Sequence, residues 1–144
     1  MIRANPSNPL ERSMKLTFLG KESKVGDSPT LYATDRDTYI VQGYKIPPAD
    51  GVTVPDGYTA VAIYDRLLDH LAKDGVPAGA VRREPPIVAG VDDESCIIQG
   101  RTVTDDDIRR RIRLPGHEDC VEIPKTELAA LLKDPREADQ QRGA

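Results

Sequence analysis

The chain has no tryptophan, one phenylalanine and five tyrosines among its 144 residues. A core of this composition is filled by Val, Ile, Leu and Ala, and a site built from stacked rings has few parts to draw on. Cysteine is scarce as well, with Cys96 and Cys120 the only two. Two thiols do not make the disulfide framework of a small secreted domain, so a reduced, cytoplasmic setting is expected. No apolar run approaches the roughly 18 residues that span a bilayer, and residues 1–13 carry no secretory-type apolar stretch. No membrane association is expected. Excess positive charge is missing too: the net charge is −4, which gives no general attraction to nucleic acid or anionic lipid.

Catalytic motifs are equally sparse. There is no Gly-x-Ser-x-Gly elbow and no glycine-rich phosphate loop, and neither His70 nor His117 has an evident nucleophile beside it. The run His117-Glu118-Asp119-Cys120 has metal-ligand residue types, but a turn entering a strand sends alternate side chains to opposite faces. No second His or Cys pair at ligand spacing completes it. No metal or cofactor is expected, and the chain reads as a non-enzyme.

What is present is order at two scales. Residues 14–19 alternate apolar and polar as a strand does, with Met14 a candidate natural start. Residues 29–34 and 38–46 read as a β-hairpin around Asp35-Arg36-Asp37. A strand follows over 59–64, then an amphipathic helix over 65–74 with Leu67, Leu68 and Leu71 inward and Gly75 as its stop. Residues 76–84 read as a linker. A second hairpin spans 85–89 and 95–103, then a short helix opens at Thr104 with Asp107 as capping partner. A strand over 119–123 and a last helix after Pro124, carrying Leu128, Leu131 and Leu132, complete the pattern. Composition predicts a disordered leader over 1–13 and a disordered tail over 134–144.

At the larger scale the chain repeats itself. Tyr39-Ile40-Val41-Gln42-Gly43 returns 57 positions later as Cys96-Ile97-Ile98-Gln99-Gly100, with Pro29/Pro86 and Asp35/Asp92 also identical. After a three-residue insertion the offset becomes 60 and aligns Val61/Val121, Ile63/Ile123 and Leu68/Leu128. The expected fold is α+β: an internally duplicated hairpin–connector–strand–helix unit. The halves, 29–75 and 85–133, pack with pseudo-twofold symmetry as one domain over 14–133. Each half alone, at roughly 45 residues, is too small to be stable.

Three groups of residues are candidates for function. Gln42-Gly43 and Gln99-Gly100 occupy equivalent places; a glycine in a strand marks a bulge or a close backbone approach, which accounts for them without function. The functional alternative brings Gln42 and Gln99 together near the pseudo-axis to line a small polar site. Arg109, Arg110, Arg111 and Arg113 form the densest basic patch, with Arg82-Arg83 a second pair. A solvated helix end with favourable dipole placement explains them, and nucleic-acid contact is the alternative. Cys96 and Cys120 lie on strands that could be neighbours, which leaves a redox pair open.

In Leu31-Tyr32-Ala33-Thr34-Asp35-Arg36, Tyr39-Ile40-Val41-Gln42-Gly43 and Cys120-Val121-Glu122-Ile123-Pro124, the chain resembles small uncharacterised actinobacterial proteins. Some of these are found near helix-turn-helix regulators. The resemblance spans roughly residues 14–133 and carries no catalytic motif. It implies a cytoplasmic accessory or regulatory role. The expected function is therefore a non-enzymatic module that binds a protein partner, or a homodimer of such modules. A small-ligand sensor with a site between the halves is the second expectation, and nucleic-acid binding through Arg109–Arg113 the third.

Overall fold

The computed structural model describes residues 15–21, 29–46, 52–76, 79–82, 84–92, 94–114 and 116–133. The leader, the tail and the candidate start Met14 lie outside them. Runs of β-branched and aromatic residues form the strands, as their preference for a pleated, packed surface dictates. In chain order these are β1 (Leu16–Lys21), β2 (Thr30–Thr34), β3 (Thr38–Lys45) and β4 (Tyr58–Tyr64). A 3-10 helix, Asp65–Asp74, follows. Then come β5 (Ala80–Val81), β6 (Ile87–Gly90), β7 (Ser95–Thr102) and α1 (Asp106–Ile112). β8 (Glu118–Pro124), α2 (Lys125–Ala129) and β9 (Leu132–Lys133) end the described chain. The class is α+β with antiparallel sheet dominant.

The β2–β3 hairpin turns through Asp37, whose φ of 65° is the left-handed conformation an Asp accepts. Pairing then leaves the local order. β3 binds β2 and, through its end at Tyr44 and Lys45, the middle of β4; its other edge binds β8 from Thr38 to Tyr44. β7 binds β6 and, through its end at Arg101 and Thr102, the middle of β8, and its other edge binds β4. β3, β4, β7 and β8 thus close a ring, with β1–β2 and β6 as outer strands.

The registers follow one rule. Every β3–β8 pair, shifted by 57 in the hairpin strand and by 60 in its partner, falls on a β7–β4 pair: Gln42↔Cys120 on Gln99↔Ala60, Tyr44↔Glu118 on Arg101↔Tyr58. The short contacts obey it too, with Tyr44↔Ala62 falling on Arg101↔Glu122. Each hairpin is therefore paired along its length by the third strand of the other half.

Alternation along the strands divides the core. Tyr39, Val41, Cys96, Ile98, Val121 and Ile123 face the main cluster, which Leu67, Leu68 and Leu71 of the 3-10 helix and Leu128 of α2 close. Ile40 and Cys120 face a smaller cluster on the opposite side, covered by Ile108 and Ile112 of α1. Asp74 ties the helices to the sheet: Tyr39 Oη donates to its Oδ2 over 2.7 Å and Lys125 Nζ lies 3.0 Å from the same atom. Among the described residues, no helix is long and apolar enough to cross a membrane.

Several local expectations need correction. The helix expected over 65–74 does form, with Leu67, Leu68 and Leu71 buried, and its type is 3-10. Gly75 does stop it, at φ 90°. β1 runs on through Gly20 and Lys21, past the expected strand end at 19. A bulge between Phe18 and Gly20 turns Leu19 into the core and leaves Phe18 59% exposed. Asp105, not Thr104, caps α1, its Oδ1 accepting from the N–H groups of Asp107 and Ile108. The supposed linker supplies β5, which pairs with β9, where the last helix was expected to continue.

Candidate functional site

Gly43 and Gly100 mark the two points where a neighbouring strand crosses closest. A Cβ on Gly43 would stand 2.5 Å from the Ala62 carbonyl oxygen and 2.9 Å from Ile63 Cγ2. One on Gly100 would stand 2.8 Å from the Glu122 oxygen and 2.7 Å from Ile123 Cγ1. Both glycines serve close backbone approach, and the offsets of 57 and 60 relate their neighbours as well.

The glutamines beside them have different fates. Gln42 is 5% exposed and donates through Nε2 to Glu118 Oε1 over 2.7 Å. Glu118 is itself 1% exposed. Gln42 Oε1 and Glu118 Oε2 have no hydrogen-bond partner among the described residues. His117 Nε2 lies 3.3 Å from Glu118 Oε2, close enough for an ion pair if the imidazole is charged but without hydrogen-bond geometry. The Tyr44 ring stacks on His117 with centroids 6.1 Å apart. This end of the motif is sealed.

Gln99 is half-buried and lines an open groove of about 590 Å³. In the register, Glu118 opposite Tyr44 corresponds to Tyr58 opposite Arg101, a buried carboxyl at one position and an exposed ring at the other. Pro55, Pro85, Pro86 and Pro124 supply further apolar wall, and Arg101, Glu122 and Glu127 supply charge. Glu122 lies opposite Arg101 in the ladder, yet its Oε2 accepts from Thr38 Oγ1 over 2.6 Å. Arg101 is exposed at the groove without an ion pair among the described residues. A second, more open depression of about 330 Å³ lies beyond Tyr58, between Lys45 and Asp119. Gln42 and Gln99 thus sit in separate settings, one in a buried pair and one at a surface groove.

The basic patch is engaged by acids. Arg109 Nη1 donates to the Val103 carbonyl and to Asp119 Oδ1, at 3.0 and 3.1 Å. Arg110 and Arg111 both approach Asp107, at 3.8 and 3.3 Å. Arg113 ends α1 in the left-handed conformation with φ 54°. Cys96 and Cys120 are buried in different clusters on opposite faces of the sheet, so they do not face each other. Burial, helped by Asp119, pushes the Cys120 thiol up to about 12, which keeps it protonated and poorly nucleophilic at neutral pH. Burial also raises Tyr32, which packs beside it. Among the described residues no three His, Cys, Asp or Glu side chains gather as a metal site.

Sequence reasoning did not single out Tyr58, Arg101, Glu122 or the Pro85–Pro86 wall. The signal was available in part: an offset of 60 pairs Glu118 with Tyr58, and sharing a strand face with Cys120 places Glu118 inward. Comparison with protein-family models, with curated proteins and with solved structures gave no match.

Proposed function

We propose that this protein is a non-enzymatic, cytoplasmic accessory or regulatory module that holds a segment of a protein partner in the groove over Gln99 and Gly100. We further read the chain as an internal duplication packed about a pseudo-twofold axis, in which one copy of the Gln-Gly motif was sealed and the other kept open. The shared register of the two ladders supports that reading. The observation that carries the functional proposal is the groove itself. Both halves build it, an exposed Tyr58 forms one wall, and Arg101 lines it with no ion pair among the described residues. Tyr and Arg are the side chains that most often anchor interfaces, because they bury much area at modest entropic cost.

The test is paired affinity capture from the native host with wild type and with Tyr58→Ala/Arg101→Glu. A specific partner retained by wild type and reduced about tenfold or more by the variant supports the proposal. Equal recovery by both proteins removes the groove from it. The groove volume also lies within the roughly 300–1,000 Å³ range of small-molecule sites, which favours a ligand sensor as the second reading. A metabolite that raises the melting temperature of wild type and not of the variant would favour the sensor over the partner.

A further inference from the structure

The outer edge of β2 is covered by β1, which pairs with it antiparallel from Leu16↔Thr34 to Lys21↔Thr30. Under that cover Leu31 is 0% exposed and Ala33 5%. β6 stands to β7 as β2 stands to β3: Ala89↔Ile97 and Gly90↔Cys96 repeat Tyr32↔Ile40 and Ala33↔Tyr39 at the offset of 57. Yet among the described residues β6 pairs with β7 alone. The register shifts between Ile87 and Ala89, so Ile87, 5% exposed, takes the place of Leu31, and Val88 stands on the bulge. Val88 is 39% exposed and Val91 56%.

Resting on the reading that this protein binds a protein partner, we infer that the edge of β6 left unpaired among the described residues is the seat for a strand donated by that partner. The donated strand runs antiparallel to β6, as β1 does to β2. Main-chain hydrogen bonds supply the affinity in this mode, and alternate side chains supply the selectivity. The Val91 N–H is spent on the Ser95 carbonyl, so by alternation the N–H and C=O of Gly90 face outward. Its counterpart Ala33 meets Thr17 of β1 at the same place.

The surroundings specify the occupant. Exposed Glu84 precedes β6 and exposed Glu94 follows it. β1 itself is apolar at Leu16, Phe18 and Leu19 and is flanked by Lys15 and Lys21. A segment of that kind, extended, apolar at its centre and basic at both ends, matches the edge in pattern and in charge. The bulge at Val88 interrupts the edge and hinders pairing between two identical β6 edges, which is how sheet proteins commonly protect such a strand. Pro85 and Pro86 lead into β6 and also wall the groove, so one partner chain can occupy both.

The probe is a synthetic peptide copying Lys15–Lys21, within a panel of apolar seven-residue peptides with basic ends, added to the isotope-labelled full chain. At least one peptide is expected to shift the backbone amides of Val88 to Val91. The same peptide with its central residue replaced by proline is expected to bind roughly tenfold more weakly, because it can no longer form a continuous ladder. Gly90→Pro in the protein removes the outward donor and gives the same loss; Val88→Glu is the second variant if Gly90→Pro does not fold. Binding that leaves β6 unshifted, or no binding across the panel, overturns the inference. Tyr58→Ala/Arg101→Glu is expected to leave these β6 shifts intact, so failure of the groove proposal and failure of the edge inference read out separately.

Discussion

Gln42 and Glu118, 76 residues apart in sequence, are joined by a 2.7 Å hydrogen bond inside the protein. The bond crosses the ladder that joins the two halves, and it is the only one the Glu118 carboxyl makes among the described residues. Burial without a partner is costly for a polar group of either kind. Gln42→Leu, which takes away the donor, is expected to destabilise the fold by about 2 kcal/mol and to lower the melting temperature by roughly 8 °C. Replacing both residues, as Gln42→Leu/Glu118→Met, is expected to recover much of that loss. Calorimetry on the three proteins checks both statements.

The two crossing glycines and Gly90 give a graded expectation. At Gly43 a Cβ meets the backbone Ala62 carbonyl oxygen at 2.5 Å; at Gly100 it meets Cγ1 of buried Ile123 at 2.7 Å and the backbone Glu122 oxygen at 2.8 Å. Gly43→Ala and Gly100→Ala are each expected to cost about 3 kcal/mol, the upper end of the usual range for overpacking. Gly90→Ala, with nothing within 4 Å, is expected to be nearly neutral. Urea melts of the three variants rank them.

Asp74 makes stability depend on acid. The hydrogen bond from Tyr39, with help from Lys125, holds its carboxyl below the ordinary value of 3.8, against an opposing pull from burial. A carboxyl depressed on folding stabilises the protein above its unfolded value, and that share is lost as pH falls through the folded value. Wild type should therefore exceed Asp74→Asn in melting temperature by a constant margin from pH 8 to 5, and the margin should close below pH 3.8. A margin that widens on acidification would show the sign to be wrong.

Cys120 is 0% exposed with its thiol raised to about 12, and Cys96 is also 0% exposed. Native protein at pH 8 is expected to resist alkylation by iodoacetamide, while protein in denaturant takes two labels. Mass spectrometry counts them. Rapid labelling of the native chain would mean that the cores open far more often than the packing implies.

Much of this fold is written locally. Alternation at Tyr39 to Gly43 and at Cys96 to Gly100 marks the hairpin strands, and leucine spacing marks the covers over the main core. The offsets of 57 and 60 read from the residues are those that relate the two ladders. Pairing between halves is not written locally. Nothing in the period of β8 says that it lies along β3 instead of β7, because that choice is made by the whole closed ring. The same holds for the site. A glutamine before a glycine reads alike at 42–43 and at 99–100. Only the cross-strand partner, Glu118 for one and Tyr58 in the equivalent place for the other, decides that Gln42 is buried and Gln99 lines a groove. The Arg109–Arg113 run reads as free charge in sequence, and the fold sets Asp107 and Asp119 against it.

The central claim is that a partner sits in the groove beside Tyr58. A photo-crosslinking residue placed at position 58, and in a parallel protein at position 113 beyond α1, tests it in the native host. Crosslinks to a single specific protein from position 58 and none from position 113 are the expected result. Crosslinks from position 113 alone, or none from either, would contradict the account.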